Sequence, residues 1–254
     1  MPLDGRATGP SSTAASASGA TAAATTAPTS AGAVALAVEM TQGPYYLDLN
    51  LVRPDIREDR VGVPLALDLT VVDPTGAPVK DAVVDIWHFD ANGVYSGFVS
   101  ASTTSNGGAG GGGGQGGTPP SGGPGAGGRG GAGNPGAATK SDDSTFLRGS
   151  QLADAAGKVS FTTIYPGWYT GRAVHIHVLV HVGGKVTHIG QFFFDDALTD
   201  KVYAASAPYS ARPARDLRNA ADGIFQGGGA ASVLPATASG DGYRAALTMA
   251  VKPA

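Results

Sequence analysis

The sequence predicts an all-β fold: a single β-sandwich domain with long loops, a disordered N-terminal tail and a Gly-rich insertion. Three observations predict it. Short runs of alternating apolar and polar residues recur, and clusters of Gly, Pro, Asn and Asp separate them. Helical periodicity is nearly absent. The glycine excess, 40 of 254 residues, is local.

Residues 105–136 hold 18 glycines, and residues 5–38 are almost all Ala, Thr, Ser, Gly and Pro. Neither stretch can bury enough apolar surface to offset the entropy of ordering its chain. Residues 1–38 are therefore expected to be a disordered tail. Residues 39–254 are expected to form one domain, with a flexible insertion at 103–143. Setting both stretches aside leaves about 175 residues, enough for one core and too few for two. The insertion reads as lying within the domain because neither flanking piece is large enough alone. The cost of closing a loop grows only logarithmically with its length.

The strands follow in order. Leu65 to Asp73 (LALDLTVVD) alternates with period two and ends at the turn Pro74-Thr-Gly-Ala-Pro78. Asp81 to Phe89 (DAVVDIWHF) is next, and Asp90-Ala-Asn-Gly93 turns it, with Gly suited to positive φ. Lys158 to Ile164 (KVSFTTI) is a third. Ala173 to Val182 (AVHIHVLVHV) and Lys185 to Phe194 (KVTHIGQFFF) are joined by a Gly183-Gly184 hairpin turn. Asp195 to Ala205 suits a short helical turn, and Gly242 to Val251 (GYRAALTMAV) a last strand.

Bulk chemistry narrows function. Net charge is −3, with no basic block, which argues against a nucleic-acid binder. No run of 18 apolar residues suggests a membrane span. Zero cysteines exclude disulfides, thiolate metal sites and a Cys nucleophile. Any metal must be held by His, carboxylate or Tyr oxygen. Residues 1–32 carry one Arg and no long apolar stretch, so no clear signal peptide is legible.

His175-Ile176-His177 is the first chemical signal. On a strand, positions 175 and 177 share a face, with Cα atoms about 6.6 Å apart, while Val174, Ile176, Val178 and Val180 face the core. Two imidazoles at that spacing can converge on one metal, although such a pair is often structural. His181 shares the face but lies about 13 Å beyond His177, too far to join. A cupin-type site would need a Glu a few residues on, and no acid follows before Asp195. Tyrosines are nearer. Tyr165 and Tyr169 precede His175 by 10 and 6 residues, and Tyr95 closes the turn after the second strand.

Four stretches, in order, carry a resemblance: Thr41-Gln-Gly-Pro-Tyr-Tyr46, Val84-Asp-Ile-Trp-His-Phe-Asp-Ala-Asn-Gly-Val-Tyr95, Thr145-Phe-Leu-Arg-Gly149, and Ile164-Tyr-Pro-Gly-Trp-Tyr-Thr-Gly-Arg-Ala-Val-His-Ile-His177. Gly190-Gln191 and Tyr209-Ser-Ala-Arg-Pro213 continue it. Over nearly all of 39–251 the chain resembles the intradiol ring-cleavage dioxygenases, in particular the compact subgroup without a helical dimerisation segment. The resemblance implies a non-haem Fe(III) enzyme that cleaves catechol-type rings between the two hydroxylated carbons with O₂, giving muconic-type diacids. It implies two tyrosinates and two histidines on the iron: Tyr95, Tyr165, His175 and His177. Tyr169 is the alternative for the second tyrosinate; the Tyr-Pro dipeptide favours Tyr165, which would also take a substrate proton.

Holding a phenol of pKa near 10 as phenolate at pH 7 costs about 4 kcal/mol. A trivalent cation supplies that readily. Arg172 would stabilise charge building on the substrate, and Gln191 would orient a group at the iron. Tyr46 and Trp168 are candidate walls for a planar ring. His88 reads as structural, and His188 has no assigned role. The implied partners are a small catecholic substrate and O₂, with no organic cofactor, nucleic acid or membrane. The competing readings are a non-catalytic β-sandwich binding module and an enzyme with another metal on the same ligands. Export is implied only by resemblance, and oligomeric state stays open.

Overall fold

The computed structural model describes residues 35–102 and 138–252. The expected tail up to residue 34, and the insertion from 103 to 137, lie outside the described residues. Two four-stranded sheets pack face to face, in the orders β4-β1-β8-β7 and β3-β2-β5-β6. The strands are β1 (Pro64–Val72), β2 (Val83–Trp87), β3 (Arg148–Leu152), β4 (Lys158–Ile164), β5 (His175–Val182), β6 (Lys185–Phe193), β7 (Thr237–Ser239) and β8 (Gly242–Ala250). A helix, α1 (Asp196–Ala205), follows β6, and the Asp195 carboxylate caps it by accepting from the Leu198 amide.

Period-two alternation sets the core. Leu65, Leu67, Leu69 and Val71 of β1 bury against Val84 and Ile86 of β2 and Ile176, Val178 and Val180 of β5. Burying each such side chain stabilises the fold by about 1.5–3 kcal/mol. The first sheet is mixed: β1 pairs antiparallel with β4 and parallel with β8. The second is antiparallel, and its register matters for function. Trp87 lies opposite both Arg148 and His177. Gln191 lies opposite His177, and Phe193 opposite His175. These residues form a row on the outer face of the sheet.

That outer face is not left to solvent. Tyr45, Tyr46, Leu47, Ala101, Ala138 and Tyr169 pack over it, against a second cluster of Trp87, Phe89, Tyr95, Phe98 and Leu179. Residues 138–143, the part of the expected insertion that is described, are docked. The Ala138 amide donates to the Pro44 carbonyl at 3.0 Å, and Asp142 accepts from the amides of Gly97 and Val99 at 3.1 and 2.9 Å. The end of the expected tail is likewise docked, with the Ala37 amide donating to the Ala250 carbonyl at 2.8 Å.

Candidate active site

β5 turns its valines inward and presents His175 and His177 together on the outer face. Both rings are buried. The Nδ1 of His175 lies 2.6 Å from the Ala173 carbonyl oxygen, which can only accept, so Nδ1 carries the proton and Nε2 the lone pair. The two Nε2 atoms converge to 3.1 Å. Burial first, and then the Arg172 charge for His175 and the neighbouring imidazole for His177, hold both well below the ordinary histidine range. They are therefore neutral, the form that coordinates metal. Trp87 stacks flat on His177 at 4.8 Å and 5°, and Phe89 meets His175 edge-on at 5.4 Å. Gly43, at φ 73°, approaches the same ring; a Cβ there would lie 3.0 Å from His177 Cε1.

Tyr95 arrives from the turn after β2. Asp90 Oδ1 accepts from the amides of Asn92 and Val94, and Gly93 takes φ 81°. The turn delivers Tyr95 into the second cluster, where Tyr45 stacks on it at 4.5 Å. Its hydroxyl is buried without a hydrogen-bond partner. Tyr169 arrives from the loop after β4. Gly167 lets that loop meet the Asp90 turn backbone to backbone: its amide donates to the Asp90 carbonyl at 3.1 Å. A Cβ at Gly167 would lie 2.6 Å from that same oxygen.

The four rings close a circuit. Centroids are 5.8 Å apart for Tyr95–Tyr169, 5.9 Å for Tyr169–His175, 4.7 Å for His175–His177 and 6.3 Å for His177–Tyr95. No group of three or more His, Cys, Asp or Glu assembles among the described residues. Phenol oxygens are thus the donors available to complete a site on the imidazole pair. Burial raises both phenols, with the neighbouring phenol adding for Tyr95 and Arg172 opposing for Tyr169. Two imidazole Nε2 atoms that converge, beside a buried hydroxyl with no partner, fit a cation with hard oxygen and imidazole donors.

Tyr165 is not in this circuit, which corrects the expectation based on the Tyr-Pro dipeptide. Its amide donates to the Val63 carbonyl at 2.7 Å, and its side chain packs into the sandwich core. The ring meets Phe194 at 4.5 Å, and the hydroxyl bonds Thr199 Oγ1 at 2.8 Å. Tyr165 directly follows the last residue of β4 and keeps that strand's inward direction; the chain turns outward only after Gly167. Trp168 is also drawn away. It joins the sandwich cluster, with the Arg212 guanidinium 4.4 Å over its ring. Tyr46 stands one ring removed, 4.9 Å from Trp87, with its hydroxyl donating to Asp85 at 3.5 Å.

Arg172 and Gln191 do reach the site. Arg172 Nη2 donates to Gln191 Oε1 at 2.6 Å, and Gln191 Nε2 donates to the Thr41 carbonyl at 3.0 Å. The Arg172 charge also acts on the Tyr169 phenol, favouring its ionised form against burial. Sequence reasoning missed Asp222, which pairs with Arg172 Nε at 2.8 Å, and Tyr45. Only an Asp-Gly helix-start signal marks Asp222, and it says nothing about the partner. The remaining histidines lie elsewhere. His88 bonds the Phe89 carbonyl and Thr163, His181 meets Asp85 at 3.1 Å, and His188 meets Glu39 at 2.7 Å.

Comparison with known proteins finds dioxygenases of the same fold. A family model described as a dioxygenase matches residues 41–110. An intradiol ring-cleavage dioxygenase from Tetranychus urticae is similar at 32% identity and a TM-score of 0.71, covering 87% of this chain and 96% of its own. The dioxygenase domain of a carbohydrate-binding fusion from Streptomyces sp. SirexAA-E shares the fold at 20% identity and a TM-score of 0.55, with 85% and 98% covered. A hydroxyquinol 1,2-dioxygenase from Pseudomonas putida DLL-E4 shares it at 16% identity and a TM-score of 0.52, with 89% and 69% covered. No curated protein sequence matches.

Proposed function

Because the chain belongs to the intradiol ring-cleavage dioxygenases, we propose that it holds Fe(III) between Tyr95, Tyr169, His175 and His177 and cleaves a catechol between its hydroxylated carbons with O₂. The observation that carries this reading is the closed circuit of two phenols and two imidazoles. Bound there, ferric iron would supply the Lewis acidity that holds phenolates and a catecholate at neutral pH and draws ring electron density toward O₂.

The chain's own residues do the rest. The Ala173 carbonyl fixes the His175 tautomer, so that Nε2 is free to donate. Trp87 holds the plane of His177, and the missing side chain of Gly43 leaves room at its Cε1. Held as phenolate by such an ion, Tyr169 Oη near the Arg172 charge would take up a proton from a catechol hydroxyl. Arg172 keeps a positive charge where the ring becomes electron-rich, and its bond fixes the orientation of the Gln191 amide. The aromatic shell of Tyr45, Trp87, Phe89 and Phe98 keeps the surroundings apolar, which strengthens each of these electrostatic effects.

The test is direct. Loaded with ferric iron, the purified protein is expected to be red to burgundy from tyrosinate-to-iron charge transfer. It is expected to consume O₂ with members of a catechol panel, giving ring-opened diacids. A colourless iron-loaded protein that leaves every catechol intact would falsify the proposal.

A further inference from the structure

We propose that Asp222 is a positioning residue: its buried carboxylate holds Arg172 Nε and the Ala173 amide together, and so aims the Arg172 fork at Gln191. This deepens the functional reading above and rests on it for the consequence in turnover, although not for the geometry. Asp222 is 1% exposed. Both of its oxygens are fully engaged. Oδ2 accepts from Arg172 Nε at 2.8 Å and from the Ala173 amide at 2.7 Å. Oδ1 accepts from the amides of Ile224 and Phe225 at 2.8 and 3.0 Å, capping the helical turn Gly223–Gln226.

The consequence lies in what each bond fixes. Arg172 presents a planar fork. With Nε tied to Asp222, the Nη edge is the part left to face the site, and Nη2 meets Gln191 Oε1 at 2.6 Å. Ala173, whose amide binds Asp222, uses its carbonyl to fix His175 Nδ1 at 2.6 Å. One carboxylate therefore orients the arginine and steadies the residue that sets the histidine tautomer. Asp222 is itself held firmly. Asn219 Nδ2 donates to the Phe194 carbonyl at 2.7 Å. Phe225 packs on Phe193, which is the residue opposite His175.

A plain helix cap would explain two of the four bonds and none of the contact with Arg172. Asp222→Ser separates the roles, because Ser caps a helix well but is too short to reach the guanidinium. The first measurement uses metal-free protein and needs no activity: the Arg172 Nε–H resonance by NMR. It is expected to be dispersed and slow to exchange in the wild type, and to collapse toward the free-arginine position in Asp222→Ser. The second measures iron-loaded protein with a catechol. The expected loss in kcat is on the order of 100-fold, as for a displaced charge, with KM changed far less. In an Arg172→Gln background, Asp222→Ser is expected to cost little more, because the residue it positions is gone.

An unchanged Nε–H resonance, or equal losses with and without Arg172, overturns the proposal. If the wild type cleaves no catechol, the functional reading fails, while the NMR arm still decides the geometry. Should Asp222→Ser not fold, Asp222→Thr carries the same measurements, since its hydroxyl also caps the helical turn and is too short to reach the guanidinium.

Discussion

Tyr169→Phe and Tyr165→Phe together set the ring circuit against the dipeptide pattern. In Tyr165→Phe one hydroxyl is lost. Thr199 Oγ1 donates its own proton to the Asp195 carbonyl at 2.8 Å, so Tyr165 is the donor in the 2.8 Å bond between them. Thr199 keeps its other bond. The loss is one buried neutral hydrogen bond, about 1 kcal/mol, or roughly 2–4 °C in Tm for a domain of this size. None of the four proposed iron donors is touched, so ferric loading and colour are expected to match the wild type. In Tyr169→Phe the ring still packs edge-on against Phe89 at 5.1 Å, and the metal-free protein is expected to keep its Tm closely. What it loses is one of two phenol oxygens in the circuit. Iron affinity and charge-transfer absorbance are expected to fall together, and turnover with them. The assay is a ferric titration of metal-free protein followed by visible absorbance and metal content, with Tm measured alongside. If Tyr165→Phe bleaches the colour while Tyr169→Phe preserves it, the site drawn here is wrong.

Gly167→Ala forces a Cβ to within 2.6 Å of the Asp90 carbonyl oxygen, so backbone must move. Overpacking of that kind costs about 1–3 kcal/mol; a lower Tm and weaker iron binding are expected, and calorimetry with ferric titration checks both. His181→Ala removes a group that bonds Asp85 and takes no part in the circuit, so colour and turnover should survive it; their loss would extend the site further along β5. Acid should destabilise the metal-free protein. Burial pushes His88 down to about 4, so between about pH 4 and 6.5 the unfolded chain binds a proton that the folded chain refuses. Stability is full above about 6.5 and falls as pH drops, by about 3 kcal/mol at pH 4 from His88 alone. Buried His175 and His177 act in the same direction. A Tm that stays flat from pH 7 to 4.5 would contradict this.

What the sequence disclosed follows its periodicities. Lys158–Ile164 alternates cleanly and is β4 with those same ends, and the two faces of β5 divide as alternation requires. β3 was missed because Arg148-Gly-Ser-Gln-Leu152 shows no apolar alternation; partners on both sides define it, with β2 pairing along it and the Arg53 amide donating to Ser150. β7, three exposed residues, offers no pattern either. The histidine pair was legible because strand geometry alone co-locates i and i+2. The second tyrosine was not, since the loop holding Tyr165 and Tyr169 reverses direction at a glycine whose partner lies some 75 residues earlier in the chain. Asp222 depends on a contact spanning 50 residues, which no local signal encodes.

The indole lying flat on His177 gives the protein an optical gauge of its own. The chain has two tryptophans, and the other, Trp168, is drawn into the sandwich core beneath Arg212. An open-shell ion bound at the neighbouring imidazole would drain the excited state of Trp87. In a Trp168→Phe background, emission should dim in step with ferric loading and recover on chelation, so occupancy could be followed by fluorescence without any substrate.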